Sequence, residues 1–271
     1  MTLPNIRKMF KPDQDHIIFE ADLAGADAQV VAWDADDADL KHMFRNKLPV
    51  HWENAKAIFG AVEPRLLTAK SDNEVKAHPE LDKYRQYAKV GVHATNYGCK
   101  PPTLASHLNI TVPAAAKFQE GWFRAHPAIA RWIERTEDEL MATRTVHNAF
   151  GYKRYYFDRV DEVLPQALAW RPQSTVAICI NKGMVAFRKW VKEEGLRANL
   201  LLQVHDSFVG QVHKSHARLV LPHIQTRCSI TIPYADPLTI PLSLSTSDLS
   251  WGDCKSYRLG DWEECVTTAI G

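Results

Sequence analysis

Two segments near opposite ends of the chain constrain the fold most. HIIFEAD, at 16–22, is a short apolar run closed by a carboxylate and reads as a β-strand. LLLQVHDSFVGQV, at 200–212, has two apolar arms around a polar centre and reads as a β-hairpin. Between them the patterning is helical. A sheet that needs both ends, with helices filling the middle, predicts an α+β chain whose central part is an excursion from the sheet domain. The length of 271 residues suits one large domain or two ordinary ones.

The helical middle has its own punctuation. A helix-like stretch runs from the first strand to about Phe44, with Trp33 and Leu40 on its apolar side, and 51–60 is helical again. The polar segment 63–78, with Pro64, reads as a connection. Pro79 and Gly98 bracket a strong helix, since proline suits the first helical position and glycine the stop. Pro113 opens another, and His126-Pro127 breaks before a third that reaches about Arg144. FGYKRYYF, at 150–157, is aromatic and basic and reads as a hairpin or loop. Ser174 is placed to cap a long helix ending at Gly195. A helix from about Ser215 and a strand over 238–244 complete the pattern.

Composition excludes several classes. Lys and Arg total 33 against 32 Asp and Glu, and 45% of residues are hydrophobic, which is too apolar for a disordered chain and too balanced for a generic nucleic-acid coat. No run of about 18 apolar residues is present, so no membrane partner is expected. The first residues lack an apolar signal region, and the five cysteines show no CxxC pair. These features predict a cytoplasmic protein with reduced cysteines, in the host cell if viral.

Three constellations carry chemistry. Asp22 ends the first strand and Asp206 sits at the centre of the hairpin. Each aspartate alone is weak evidence, since an aspartate at a strand end is usually a turn-former or helix cap. Together, delivered by rigid strands, they would repel unless a cation lay between them, and Mg²⁺ suits one or two carboxylates plus substrate phosphates. In the helix opened by Pro79, Arg85, Lys89, His93 and Tyr97 recur every four residues and share one face about 18 Å long. The face is cationic at one end and aromatic at the other, matching a ligand with phosphates and a base. The bland reading is a solvated basic stripe with Tyr97 in the core. The third set is His51, Gln173, Gln203 and His205. A zinc site of His205, His213 and His216 lacks any ligand spacing of a known structural kind, and His213, His216 and His223 read rather as a polar helix face.

FEADLAGADAQ, RQYAKVGVHATNYG and LLQVHDSFV, in that order, resemble the first palm motif, the fingers helix and the second palm motif of family A DNA polymerases, the DNA polymerase I family, in their bacteriophage-like form. PVHWENAKAIFG, WRPQSTVA and SDLSWGD are similar to the family's connecting stretches, so the likeness spans about residues 4–253. The resemblance implies a polymerase palm, an antiparallel sheet with packed helices, built from 1–60 and 165–271, with an inserted helical fingers subdomain over 61–164 and no thumb or exonuclease. It implies that Asp22 and Asp206, with the carbonyl of Leu23, hold two Mg²⁺ ions. Arg85, Lys89 and His51 would bind the triphosphate of an incoming dNTP. His93 and Tyr97 would border its base and sugar, and Asp27 would be the acidic gate against a ribose 2′-hydroxyl. Gln203 and His205 would touch the primer end, and Gln173 the template. His93 stands where the family usually has Phe or Tyr, Ser207 where it has Glu, and Gln29 where it has Arg. Asp27 is one methylene shorter than the usual Glu.

The implied activity is template-directed transfer of deoxynucleotides to a primer 3′-hydroxyl, with primer-template DNA and dNTPs as partners. A separate polypeptide carrying the thumb and a 3′–5′ exonuclease is a further expected partner. The alternatives are a single-subunit RNA polymerase-like enzyme, which usually has a small residue at position 27, and a catalytically weak DNA-binding subunit.

Overall fold

The computed structural model describes residues 4–257, so Cys265 lies outside the described residues. The chain begins its regular structure with a 3₁₀ turn at Ile6–Met9 and then β1 (His16–Leu23), whose Ile17, Ile18, Phe19 and Ala21 are buried. The helix-like stretch that follows is two helices, α1 (Ala26–Asp34) and α2 (Ala38–Arg45). Asp36, at φ +56°, breaks them apart, and the Asp37 carboxylate caps α2 by accepting from the Leu40 N–H at 2.9 Å. α3 (Val50–Phe59) comes next. The segment 63–78 is more than a connection: it holds α4 (Arg65–Thr68) and α5 (Asp72–Ala77). Ser71 caps α5, and buried Leu66 and Val75 fasten the two short helices to the core of α3.

α6 (Pro79–Asn96) starts at its proline and stops before Gly98, which takes φ +73°. α7 (Pro101–Leu108) lies where the sequence predicts no element; its two prolines occupy the first turn, where no N–H donor is needed. α8 (Val112–Ala125) and α9 (Pro127–Thr143) meet at the expected break. β2 (Thr145–His147) and β3 (Lys153–Tyr155) make the aromatic, basic segment a hairpin. α10 (Val160–Glu193) begins 14 residues before Ser174, so Ser174 is no cap. Its hydroxyl instead donates back to the Arg171 carbonyl at 3.3 Å. Pro165 and Pro172 both sit inside α10, so the usual stop signal misplaces its start.

β4 (Ala198–Val204) and β5 (Ser207–His213) form the expected hairpin, with His205 and Asp206 as its turn. α11 (Lys214–Val220) and α12 (Ile224–Cys228) follow. β6 (Thr231–Ile232) pairs with β7 (Leu238–Thr239), and β8 (Leu242–Ser247) and β9 (Lys255–Tyr257) end the described chain. The single strand expected over 238–244 is therefore two strands.

The chain divides into two compact units, one made of residues up to Ala26 together with those from Thr175 onward, the other of Asp27–Ser174. The first unit is built on an antiparallel sheet of order β4-β5-β1-β8-β9. The distant ends of the sequence thus share one sheet. On one face, Phe19, Phe187 of α10 and Phe208 pack with ring centroids 5.7–6.1 Å apart. Such ring pairs contribute about 0.5–1.5 kcal/mol each beyond burial. Gly210, opposite Phe19, is what admits that ring: a Cβ there would lie 2.4 Å from Phe19 Cζ. The other face carries Ile18, Val209 and Trp251 and then turns polar toward the end of β1.

The second unit is largely helical and includes α1 to α3 from Asp27 through Phe59. α3 packs on α6 and α8. Trp52 and Trp122 are buried there with their N–H groups satisfied by the Leu66 carbonyl (3.0 Å) and Asn96 Oδ1 (2.8 Å). Gly91 of α6 lies against the Phe118 ring of α8, where a Cβ would come within 2.5 Å.

Candidate active site

β-pairing brings Asp22 and Asp206 together. Asp22 on β1 is the partner of Ser207 on β5, and the Leu23 N–H donates to the Asp206 carbonyl at 3.0 Å. Alternation along β1 puts Glu20 on the same face as Asp22. Burial, the charge of Asp206 and that of Glu20 push the Asp22 carboxyl up to about 6, against a smaller opposing pull from Arg7. The end of this sheet therefore gathers like charge that Arg7 offsets only in part. The turn that presents Asp206 is itself constrained, since His205 is held at φ +53° without being glycine.

Glu20 and Arg7 are members of this cluster that sequence reasoning missed. The Ser207 hydroxyl lies within donating distance of Glu20 Oε1 (3.1 Å) and of the Val204 carbonyl (3.0 Å). Arg7 Nη1 is 3.7 Å from Glu20 Oε2, and its guanidinium stacks 4.4 Å from the Trp251 ring centroid. The two-residue spacing of Glu20 and Asp22 on one strand was the available signal. Of the other residues expected here, Gln203 and His205 are both exposed, on β4 and at its turn.

The donor set fits a hard divalent cation better than zinc. Two carboxylates, one already reluctant to ionise beside the other, gain most from a metal that accepts few protein oxygens and leaves room for phosphate. Among the described residues no group of three or more His, Cys, Asp or Glu is arranged to hold a metal ion. The histidines weighed for zinc are bonded locally: His213 Nδ1 meets Ser215 Oγ at 2.7 Å, and His216 Nδ1 accepts from the Arg197 N–H at 2.8 Å.

The second unit carries the cationic and aromatic residues. Arg85 on α6 is not a free cation: its Nε donates to Asp82 Oδ1 at 2.6 Å and lies 4.0 Å from Asp72 Oδ1. Lys89, one turn on, is exposed. His51 on α3 is half-buried; burial, then the charges of Lys89 and Arg85, hold its imidazole below the usual range and so neutral near pH 7. At the far end of α6, His93 and Tyr97 meet edge to face with centroids 4.6 Å apart. The Tyr97 hydroxyl donates to Asp27 Oδ2 at 3.0 Å, and burial together with that carboxylate pushes its pKa above the normal phenol range. Gln173 is exposed on α10, and Gln29 is buried in α1.

Among the described residues no helix is long and apolar enough to cross a membrane. Cys99, Cys179, Cys228 and Cys254 are free thiols.

Known proteins share this arrangement of elements. The chain is similar to DNA polymerase I of Bacillus caldotenax, 30% identical over 240 residues, covering 84% of this chain and 26% of that protein. It is similar to the thermostable DNA polymerase I of Thermus filiformis, 29% identical over 246 residues, covering 88% of this chain and 27% of that protein. The chain thus spans about a quarter of the length of these relatives. Its fold matches the POL domain of Pol1 from M. smegmatis, solved in complex with DNA primer-template and dNTP, with a TM-score of 0.75. That match has 23% identity and covers 92% of this chain and 42% of the other. Residues 2–253 match the family model of DNA polymerase family A, and the chain belongs to that family.

Proposed function

We propose that this chain is the catalytic core of a template-directed DNA polymerase, transferring deoxynucleotides from dNTPs to a primer 3′-hydroxyl. The observation that carries the reading is the β1–β5 register, which joins Asp22 to the Asp206 turn from opposite ends of the sequence. The sheet unit is assigned as palm and the helical unit as fingers. Asp22, Asp206 and the Leu23 carbonyl are the ligands for two Mg²⁺ ions. Held there, the metal would lower the pKa of a primer hydroxyl and offset negative charge on the departing pyrophosphate.

The remaining roles fall to this chain's side chains. Arg85 and Lys89 bind phosphate oxygens, Arg85 by exchanging Asp82 for the ligand. His51, neutral, serves as a hydrogen-bond donor to the same oxygens. His93 and Tyr97 offer ring surface to the base and sugar. Asp27, fixed by Tyr97, crowds a 2′-hydroxyl. Gln203 and His205 contact the primer end, and Gln173 the template.

Primer extension by the purified chain with Mg²⁺ tests this. Wild type extends with dNTPs in preference to NTPs, and Asp206→Ala lowers the rate on the order of a thousandfold. Equal rates in the two proteins would remove the assignment, and preference for NTPs would favour an RNA polymerase. Product length reads the contribution of a separate thumb and exonuclease polypeptide: short products point to one, and long products argue against it.

A further inference from the structure

The β2–β3 hairpin holds chemistry that none of these roles uses. Alternation along β3 and the residues after it sends Arg154 and Tyr156 to one side and Lys153, Tyr155 and Phe157 to the other. Tyr156 is buried with Leu140, Val146 and Val163, and anchors the hairpin. The opposite side is open. Tyr155 is 53% exposed and Phe157 92%, the latter being the most exposed large hydrophobic side chain among the described residues. Lys153 Nζ lies 5.1 Å from the Tyr155 ring centroid, and Tyr152 at the turn is exposed too. Lys153 and Arg154 are the charges of 148–157, a stretch without a carboxylate.

The hairpin is also stiff. Buried Asn148 accepts from the Phe150 and Tyr152 N–H groups at 3.1 and 3.0 Å, and donates to Ser174 Oγ at 3.0 Å. The Arg144 carbonyl accepts from the Tyr156 N–H at 2.9 Å. Rings held this way lose little freedom when something lies on them. The occupant must be flat and apolar on its face and anionic at its edge. Bases in a duplex already stack on each other, so only unpaired bases have faces to offer.

We propose that Tyr155 and Phe157 form a stacking platform for unpaired bases of a single DNA strand, with Lys153, on the same side, on its phosphates. The inference deepens the polymerase reading and rests on it for the identity of the strand. Asn148, which fixes the hairpin turn, donates to Ser174, the residue after exposed Gln173.

Fluorescence anisotropy of a labelled twelve-residue oligo(dT) with the full chain tests it, beside a duplex of equal length. Tyr155→Ala and Phe157→Ala each weaken single-strand binding about tenfold at an unchanged salt slope, while Tyr155→Phe, which keeps the ring, binds as wild type. Lys153→Ala lowers the salt slope by about 0.7. Duplex binding moves little in the ring variants, and all variants melt as wild type. Ring variants that bind oligo(dT) like wild type overturn the platform, as does a self-association of the wild type that Phe157→Ala abolishes. Primer extension on the same preparations separates the two readings. Extension that needs Asp206 with ring-independent binding removes the platform alone, whereas ring-dependent binding without extension removes the polymerase and leaves the platform.

Discussion

The charged groups of the two units are arranged in opposite ways. In the helical unit, cations and anions are matched: Arg85 with Asp82, and His126 with Asp37 at 3.1 Å in a buried pair. In the sheet unit, Asp22 faces Asp206 with Glu20 nearby, and only half-exposed Arg7 offsets them. Matched pairs hold a fold together. A like-charged pair is costly to the fold, and a bound cation would relieve that cost. The helical unit instead holds Arg85 with its own carboxylates, Asp82 and Asp72.

Three substitutions break or sharpen this contrast, with opposite signs in the two units. The largest effect is expected from Arg85→Ala, which lowers kcat/KM for dNTP about a hundredfold in steady-state primer extension. A loss no greater than that of Lys76→Ala, an exposed cation on α5, would make Arg85 structural.

Next is Asp37→Ala, which removes both the cap on Leu40 and the partner of His126 and destabilises the fold by about 2 kcal/mol in denaturant unfolding at pH 7. Burial works against ionisation of Asp37, but the His126 hydrogen bond and the Leu40 N–H hold its carboxyl below the usual range. Its contribution is therefore fully present above about pH 4 and disappears as pH falls through the folded value.

Smallest is Asp22→Asn. The folded Asp22 carboxyl lies near 6, above its unfolded value of 3.8, so its ionisation opposes folding increasingly from about pH 4 to above 6. Removing that charge stabilises metal-free protein at pH 8 on the order of 1 kcal/mol, allowing for solvent screening, or a rise of about 2–4 °C in Tm. At pH 3.5 the two proteins melt together. A variant that is less stable at pH 8 would show that the carboxylates do not repel.

The strands that carry the aspartates were legible because short apolar runs ending on a polar residue leave little choice of structure. β1 and the β4–β5 hairpin fall where the sequence predicts them, and so does α6 between Pro79 and Gly98. α10 was misread because two interior prolines, Pro165 and Pro172, mimic a helix start while the tertiary packing of Ala167, Leu168 and Val163 carries the helix through them. α4 and α5 were hidden because four- and six-residue helices have too few turns to show a period; only Leu66 and Val75 are buried. Within the site, the spacing along α6 placed Arg85 through Tyr97 on one helix, but side-chain pairing across elements is invisible in sequence. That is why the Tyr97–Asp27 bond and the Ser207–Glu20 contact emerge only from the structure.

The claim at the centre is that the sheet holds its acidic pair for a divalent cation. Carbon-13 detected NMR titration of the Asp22 side-chain carboxyl, with and without Mg²⁺, tests it most directly. The account predicts a titration near pH 6 in metal-free protein, moving below about pH 4 when Mg²⁺ is added. An Asp22 that titrates at the same pH whether or not Mg²⁺ is present would contradict it.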